Sequence, residues 1–321
     1  MGDIARPLPG PAGIALRRVR LHLTPAPAQE TPIVLTPHAT SEFGTLTRVA
    51  MRYASDTTRA VDGPDVHPVL ARQKTTSTWS RYSPATVRVQ QDNLIGVLRS
   101  RGTEVLLLED APGCAVQHYP RDIAFVIDHL LVMARLNAEH RRPEADALFR
   151  LAGDADYVVH LDAGTIEGGD VALHDGCVMV GLGEETSTEG AKALQTALTC
   201  RGVDREVRLV EFDVDGIVHL DDHFAIVAPA TALIHRAVFP PAQLRWFEQH
   251  FDLIDVSDTE ARAVQANVLA LAPGTVVVAA SSDRIAAQLA ARGLEVLTVD
   301  YSEVTRIPGA LRCTTLPLNR A

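Results

Sequence analysis

The feature that most constrains the fold of this 321-residue chain is an internal repeat of nearly constant length. Landmark residues occur at intervals of 48, 49 and 48 residues, at Asp122, Asp170, His219 and Asn267, and a further 46 residues lead to Cys313. A fixed period of this size is typical of architectures in which one supersecondary unit packs on copies of itself. The alternative is that the spacing arises by chance in a chain rich in Ala and Val.

Each repeat shows the same order of predicted elements. Two short apolar strand-like runs separated by a turn come first, then an apolar helical stretch, then a third strand-like run. Most of the helical stretches end at a glycine, which adopts the positive φ of a helix C-terminus without steric cost. The predicted helices cover 85–101, 143–152, 187–201, 240–250 and 282–292. Thr186, followed three residues later by Glu189, predicts a capping box for the third helix in the chain.

The hairpin-rich connections determine which architecture the repeats can build. The strand pairs lie at 123–127 with 130–134, 171–173 with 177–180, 224–227 with 232–235, and 268–271 with 276–280. A doubly wound sheet is excluded because it needs strict alternation of strand and helix. With a first unit starting near Leu46, five units can instead close radially like the blades of a propeller. Equivalent positions, including Asp122, His219 and Cys313, would then meet on the central axis.

Composition excludes several functional classes. Thirty basic against forty acidic residues give a net charge of −10, which argues against a nucleic-acid partner or an anionic membrane surface. No apolar run reaches the roughly 18 residues that span a bilayer. The four cysteines form no CxxC pair, so reduced thiols in a cytoplasmic protein are expected rather than a disulfide framework. We predict a Pro-rich N-terminal arm over 1–40 and a single catalytic domain over 41–321.

Cys313 and His219 are the side chains best suited to catalysis. Cys313 is either a small buried apolar residue or a nucleophile. His219 lies in the strand-like run Val218-His-Leu-Asp-Asp-His223, where alternation would place His219, Asp221 and His223 on one face as possible metal ligands. We expect no metal, because no further His or Cys pair has ligand spacing.

Two turn-like segments carry acidic residues, Glu167-Gly-Gly-Asp170 and Tyr119-Pro-Arg-Asp122. Taken separately, the first can be explained as a turn in which Gly168 and Gly169 supply unusual backbone angles. The second can be explained as a turn with a surface ion pair. Their related positions in the repeat favour a shared site instead. Carboxylates bind a planar guanidinium through two hydrogen bonds, a thiolate can attack its central carbon, and a histidine can move the protons.

Five short motifs, in order along the chain, resemble the guanidino-modifying superfamily, which includes arginine deiminases, dimethylarginine dimethylaminohydrolases and amidinotransferases. The resemblance covers residues 46–320 and implies an α/β fold, a five-bladed ββαβ propeller with pseudo-fivefold symmetry. The motifs are Tyr119-Pro-Arg-Asp-Ile-Ala-Phe125, Glu167-Gly-Gly-Asp-Val171, His219-Leu-Asp221, Asn267-Val-Leu-Ala-Leu271, and Ser302-Glu303 through Leu311-Arg-Cys-Thr-Thr-Leu-Pro-Leu318.

The resemblance also implies roles for individual residues. Cys313 matches the nucleophile that forms a covalent amidino-thioether, and His219 matches the general acid and base. Glu167 matches the carboxylate that orients this histidine and contacts the guanidinium. Asp122 and Asp221 match the carboxylates that hold the guanidinium nitrogens, although dimethylargininases lack the second of these. The chain has no room for the deiminases' inserted helical domain.

One departure from the family pattern concerns the far end of the substrate. Glu185 stands where the family often has an Arg that helps to bind an α-carboxylate. This favours a guanidino compound with a neutral or cationic far end, unless Arg135, Arg81 or Arg306 takes over, or Glu185 merely precedes a helix whose dipole suits a carboxylate. The predicted substrate-binding set is Asp122, Asp221, Glu185 and Asp170.

These observations lead to one functional hypothesis with two rivals. The first is a hydrolase that cleaves a C–N bond of a small guanidino compound through a covalent intermediate on Cys313. The alternative is an amidinotransferase, in which an amine completes the reaction in place of water. A non-catalytic propeller that binds a partner, like some ribosome anti-association factors, would need no such set of residues. Nucleotide and flavin motifs are absent from the sequence, so no cofactor is expected. The sequence is compatible with a homo-oligomer as well as with a monomer.

Overall fold

The predicted repeat is present as five small sheets in the structure, a computed structural model that describes residues 35–55, 83–114 and 116–321. The described strands are β1 (Leu46–Met51), β2 (Glu104–Leu107), β3 (Ala124–Ile127), β4 (Leu130–Met133), β5 (Val158–His160), β6 (Val171–His174), β7 (Cys177–Gly181), β8 (Glu206–Val210), β9 (Phe224–Ala228), β10 (Thr231–Ile234), β11 (Asp252–Asp255), β12 (Leu269–Ala272), β13 (Thr275–Ala279), β14 (Glu295–Val299) and β15 (Leu316–Arg320). The described helices are α1 (Pro84–Ser100), α2 (Asp146–Ala152), α3 (Thr188–Cys200), α4 (Pro241–His250), α5 (Asp258–Arg262) and α6 (Asp283–Ala291).

Four of the sheets have the same connectivity, in the orders β3-β4-β5, β6-β7-β8, β11-β10-β9 and β12-β13-β14. In each sheet the first two strands form an antiparallel hairpin, as in the pairing of Phe125 with Val132. The third strand returns after a helical segment and pairs parallel to the middle strand, as Val296 does with Val276. This is the ββαβ unit that the sequence predicts.

The fifth sheet joins the two ends of the described chain. β15 supplies its first strand and pairs antiparallel with β1, which in turn pairs parallel with β2. Closure of this sheet by the C-terminal strand completes the five-unit arrangement. Residues 1–34 of the predicted arm lie outside the described residues. Of its remaining part, His38 donates its backbone N–H to Leu318 and Ala39 pairs with Asp128.

Strand composition explains how the sheets pack. Every residue of β3 and β4 is buried, because these strands are continuous runs of Ala, Phe, Val, Ile, Leu and Met that are covered on both faces. The helices bury one stripe only. α3, for example, buries Ala191, Leu194 and Leu198, and removing each leucine from water contributes on the order of 2 kcal/mol. Among the described residues no helix is long and apolar enough to cross a membrane.

Two predicted helix starts differ from the structure. The helix predicted over 143–152 is α2 preceded by a 3₁₀ segment, Glu139–Ala145, which has Pro143 inside it. The N-cap of α3 is Ser187, whose hydroxyl accepts from the Gly190 N–H at 3.1 Å. The predicted capping box of Thr186 with Glu189 is therefore wrong, because the N-cap lies one residue later and Gly190 has no side chain to complete a box. The Thr186 hydroxyl donates instead to Asp170, 2.6 Å away.

The landmark residues lie just ahead of the first strand of each sheet. Asp122 precedes β3, Glu167 and the turn Gly168–Asp170 precede β6, His219 and the turn Leu220–Asp222 precede β9, Asn267 precedes β12, and Cys313 precedes β15. The near-constant spacing therefore reflects equivalent positions in successive sheets. These turn regions supply His219, Cys313 and most of the carboxylates of the site described next.

Candidate active site

A cavity of about 60 Å³ opens where the turns ahead of the strands meet. Its lining combines an apolar wall with a small set of ionisable groups, which is the usual character of a small-molecule site. The lining residues are Val116, Tyr119, Asp122, Ala138, Arg141, Glu185, Val218, His219, Asp222, Ile307, Pro308 and Cys313. Four of the seven residues predicted for the site are among them: Asp122, Glu185, His219 and Cys313.

His219 is held by carboxylates on both ring nitrogens. Its Nε2 lies 3.1 Å from Oε2 of Glu167, and its Nδ1 lies 3.7 Å from Oδ1 of Asp122. Glu167 is fully buried behind the histidine, outside the cavity lining. Burial alone would lower the pKa of His219, but Asp122, Glu167 and Asp170 outweigh it and raise that pKa well above its usual value. The imidazole therefore carries two protons at neutral pH, one of which faces Asp122.

Gly168 and Gly169 are required for space rather than for backbone angle. Neither has a positive φ, so the sequence-based explanation by unusual backbone angles is wrong. A Cβ on Gly168 would lie 2.1 Å from the Arg121 carbonyl oxygen. A Cβ on Gly169 would lie 2.6 Å from both Cγ and Nδ1 of His219. The absence of a side chain at Gly169 thus leaves room for the imidazole next to the backbone.

Cys313 is buried among acidic groups. Its sulfur and one carboxylate oxygen each of Asp221 and Asp222 lie within 4.8 Å of one another. Burial, followed by the charges of Asp221, Asp222 and Asp122, raises the pKa of the thiol well above its ordinary value. Without a bound cation, Cys313 is a neutral thiol at neutral pH.

Asp221 and Asp222 are adjacent but have different surroundings. The predicted strand alternation fails here, because Leu220–Asp222 is a single 3₁₀ turn that points successive side chains in different directions. Asp221 is not among the lining residues, but one of its carboxylate oxygens lies within 4.8 Å of Cys313 Sγ, and its Oδ2 accepts from Arg312 Nε at 3.4 Å. Asp222 lines the cavity, and burial raises its pKa to about 7. His223 turns away from the cavity, with its Nδ1 3.1 Å from Nδ1 of His235, so the three residues do not form the single face considered for a metal.

Arg141 is a cavity residue that the sequence did not identify. Its Nε and Nη2 donate to Glu144 at 3.1 and 2.8 Å, and its Nη2 also donates to Oδ2 of Asp122 at 3.0 Å. Its Nη1 lies 3.6 Å from Glu167. Three carboxylates thus neutralise this guanidinium, and they raise its pKa despite burial. The only signal in the sequence was an Arg three residues before a Glu, which is too common to single out.

The remaining predicted residues occupy distinct places. Asp170 lies outside the cavity lining, with its oxygens bound to the Thr186 hydroxyl and the Leu220 N–H at 2.6 and 2.9 Å. It fixes the turn that follows His219, and burial raises its pKa to about 8. Glu185 lines the cavity and is buried.

Of the three arginines considered for the far end of the substrate, the two that the structure describes do not line the cavity. Arg306 pairs with Glu303 at 2.8 Å, Arg135 lines a different cleft, and Arg81 is outside the described residues. The arginine that shares the cavity with Glu185 is Arg141.

Comparison with known proteins identifies the family. The family model described as N,N dimethylarginine dimethylhydrolase, eukaryotic, matches residues 71–320. The chain belongs to this family. A protein of uncharacterised function from Bacillus subtilis, YkgA, is 30% identical over 73% of this chain and 81% of its own length. The N(G),N(G)-dimethylarginine dimethylaminohydrolase of Streptomyces coelicolor is 26% identical over 71% of this chain and 84% of its own length.

Solved structures share the fold of this dimethylarginine dimethylhydrolase family member. The dimethylarginine dimethylaminohydrolase of Pseudomonas aeruginosa, solved with citrulline, superposes with a TM-score of 0.69 and 20% identity, covering 85% of this chain and 99% of that chain. SxtG, an amidinotransferase from Microseira wollei, superposes with a TM-score of 0.66 and 16% identity, covering 88% and 97%. These likenesses confirm the five-bladed propeller-like fold. The family model and the curated relatives, which include an arginine deiminase of Mycobacterium marinum, confirm the guanidino-modifying superfamily.

Proposed function

We propose that the protein hydrolyses a C–N bond of a small guanidino compound, with Cys313 as nucleophile. The observation that carries the proposal is a pair of buried carboxylate oxygens, Oδ1 of Asp122 and Oδ1 of Asp221, which have no hydrogen-bond partner among the described residues. Buried acceptors without donors are costly, and a guanidinium supplies several N–H donors in one plane together with a positive charge. The Cys313 thiol and His219 lie beside these two carboxylates.

The first half of the reaction forms a covalent adduct. The substrate cation favours loss of the Cys313 proton to solvent, and the thiolate attacks the central guanidinium carbon to form a C–S bond. The C–N bond then breaks as His219 gives its proton to the departing nitrogen, which leaves as a neutral amine or ammonia. An S-alkylthiouronium on Cys313 and a neutral His219 remain. Glu167 keeps the imidazole in position throughout.

The second half of the reaction consumes water. Neutral His219 takes a proton from a water molecule whose oxygen attacks the same carbon. The C–S bond breaks as the carbonyl forms, the hydroxyl proton passes to the sulfur by way of solvent, and a neutral ureido product leaves with the Cys313 thiol and the protonated His219 restored. The family match and the dimethylarginine dimethylaminohydrolase relative support water rather than an amine as the second reactant.

The groups around the cavity support a substrate whose far end is neutral or cationic. Glu185 and Asp222 line the cavity directly. Arg141, on the same lining, already donates to Glu144 and Asp122 and lies 3.6 Å from Glu167, so its charge is balanced before a substrate carboxylate arrives. We therefore propose that decarboxylated guanidino compounds are turned over in preference to arginine and its methylated forms.

Product analysis tests the proposal. The enzyme is incubated separately with agmatine, arginine and N,N-dimethylarginine, with and without a simple amine as acceptor, and the products are identified by mass spectrometry. We expect a ureido product and a released amine or ammonia, with no new guanidino compound when the acceptor is present. Formation of a new guanidino compound would instead establish amidino transfer, and turnover by Cys313→Ser would contradict the covalent mechanism.

A further inference from the structure

Asn267 occupies a position in its repeat that is equivalent to the positions of the catalytic groups. The mechanism proposed above gives it no role. Its side chain is buried, with 1% of the residue exposed. It lies at the end of the turn that leads into β12, and it reaches the segment around Cys313 that leads into β15. Its amide therefore connects two neighbouring blades at the reacting thiol.

The orientation of the Asn267 amide is fixed by its oxygen. Oδ1 accepts the backbone N–H of Arg312 at 2.8 Å and, at a longer 3.4 Å, that of Cys313. A backbone N–H can only donate, so the oxygen must face this segment. The amide nitrogen is consequently directed the other way, toward Sγ of Cys313 at 3.1 Å.

The amide nitrogen has three acceptors for its two N–H groups. Besides the sulfur, they are the backbone oxygen of Asp221 and Oδ1 of Asp222, each at 3.3 Å. An amide N–H can only donate, so the sulfur must act as the acceptor, and a charged sulfur accepts far more strongly than a neutral thiol. The contact thus favours the thiolate and fixes the position of the sulfur relative to the carboxylates.

We propose that Asn267 is a positioning residue that holds the Cys313 sulfur for attack and stabilises its thiolate by donating an N–H to it. The inference rests on the proposed function, in which Cys313 is the nucleophile. The need for such a donor is evident from the other groups facing the sulfur. Burial and the carboxylates of Asp221, Asp222 and Asp122 oppose the negative charge, whereas the backbone of Ala310 favours it. Arg121 also acts on the sulfur, through its positive charge.

Two substitutions separate this role from simple packing. Asn267→Ala removes both the donor and the acceptor. Asn267→Asp keeps the side-chain volume and the oxygen that accepts from Arg312, and replaces the donor with a second oxygen. Asn93, exposed on α1, serves as the matched control, as Asn93→Ala and Asn93→Asp. Thermal unfolding of each variant establishes that it is folded before its thiol is measured.

The test follows alkylation of Cys313 by iodoacetamide as a function of pH, read from the mass of the peptide that carries this cysteine, because Cys200 is exposed and also reacts. A hydrogen bond to a charged group corresponds to about one to two pKa units. We therefore expect the midpoint of the alkylation profile to rise by that amount in Asn267→Ala. At pH 8 the alkylation rate should fall about 10- to 100-fold, since each pKa unit is tenfold in thiolate.

In Asn267→Asp we expect the midpoint of the alkylation profile to rise at least as much. The oxygen that accepts from the Arg312 backbone is kept, whereas the N–H that donates to the sulfur is lost. With a guanidino substrate, kcat should fall by a similar factor with little change in KM. If folded Asn267→Ala and Asn267→Asp both alkylate with the wild-type profile, the proposal is overturned. This outcome is independent of the proposed function, because iodoacetamide needs no guanidino group. Conversely, failure of the wild-type protein to turn over any guanidino compound would contradict the function without altering these profiles.

Discussion

Replacing Glu167 with Gln removes the charge that holds His219 protonated and leaves the shape of the site intact. In the structure, Glu167 Oε2 lies 3.1 Å from His219 Nε2, and the carboxylate is fully buried. Two unit charges at that distance attract by about 5 kcal/mol at an effective dielectric near 20. This is an upper limit, because a neutral amide oxygen still accepts from Nε2–H. The net strength of a hydrogen bond to a charged group, about 1.5 to 3 kcal/mol, is the better guide.

That energy corresponds to a fall of about one to two units in the pKa of His219. His219 must be protonated to protonate the departing nitrogen, so activity is lost as the pH rises through its pKa. The alkaline limb of kcat/KM against pH should therefore move down by about one to two units in Glu167→Gln. At pH values below the alkaline limb, kcat/KM of Glu167→Gln should fall much less relative to the wild type.

The assay is the pH profile of kcat/KM for the best guanidino substrate in the wild type, in Glu167→Gln and in Glu189→Gln. Glu189 is exposed in the first turn of α3 and controls for loss of a carboxylate as such. An alkaline limb in Glu167→Gln that coincides with the wild-type limb would refute the role assigned to this carboxylate. A uniform loss at every pH would mean that Glu167 only shapes the site.

Three further predictions concern the thiol, the glycine beside His219 and the far end of the substrate. A cationic alkylating agent such as chloroacetamidine should modify Cys313 much faster than neutral chloroacetamide at pH 7, because its charge lowers the pKa of the buried thiol. If the ratio of the two alkylation rates at Cys313 equals the ratio at exposed Cys200, substrate-assisted activation is contradicted. Gly169→Ala should lose at least about 100-fold in kcat/KM, an estimate based on the cost of a misplaced catalytic group, because a Cβ there would lie 2.6 Å from the imidazole; near-normal kinetics would show that the ring has room to move. Glu185→Arg should raise the ratio of kcat/KM for arginine to that for agmatine by several-fold to several-hundred-fold, from about 1 to 4 kcal/mol per like-charge contact at about 4 Å; an unchanged ratio would leave Glu185 with no part in specificity.

The repeat could be predicted from the sequence because its signals are local. A helical stretch, a glycine and a strand-like run are each visible within a few residues, and their recurrence predicts both the number of sheets and the order of elements along the chain in four of the repeats. The closure of the fifth sheet was not predicted. The pairing of β15 with β1 joins opposite ends of the chain, and no local pattern specifies such a partner.

The catalytic candidates were identified by their equivalent positions, but their contacts depend on side-chain directions that spacing does not determine. The turn Leu220–Asp222 is the best example. A strand would have grouped His219 with Asp221, whereas the 3₁₀ turn places Asp222 on the cavity lining and directs Oδ2 of Asp221 to Arg312.

Arg141 was missed for a related reason. It belongs to the connection between β4 and α2, outside the turns ahead of the first strands that the landmark spacing picks out. Only in the folded chain does its guanidinium reach Asp122, where it donates a hydrogen bond to one of the two carboxylate oxygens. The other oxygen is the one assigned above to the substrate.

The central claim, covalent catalysis by Cys313, is tested most directly by the intact mass of the protein during turnover. Acid quenching within the first turnovers with agmatine, followed by peptide mapping, should reveal an amidino adduct on Cys313 of the wild type. His219→Ala should form little adduct, since it cannot protonate the departing nitrogen, and Cys313→Ser should form none and have no measurable activity. Turnover without any adduct, together with near-normal activity of Cys313→Ser, would contradict the account.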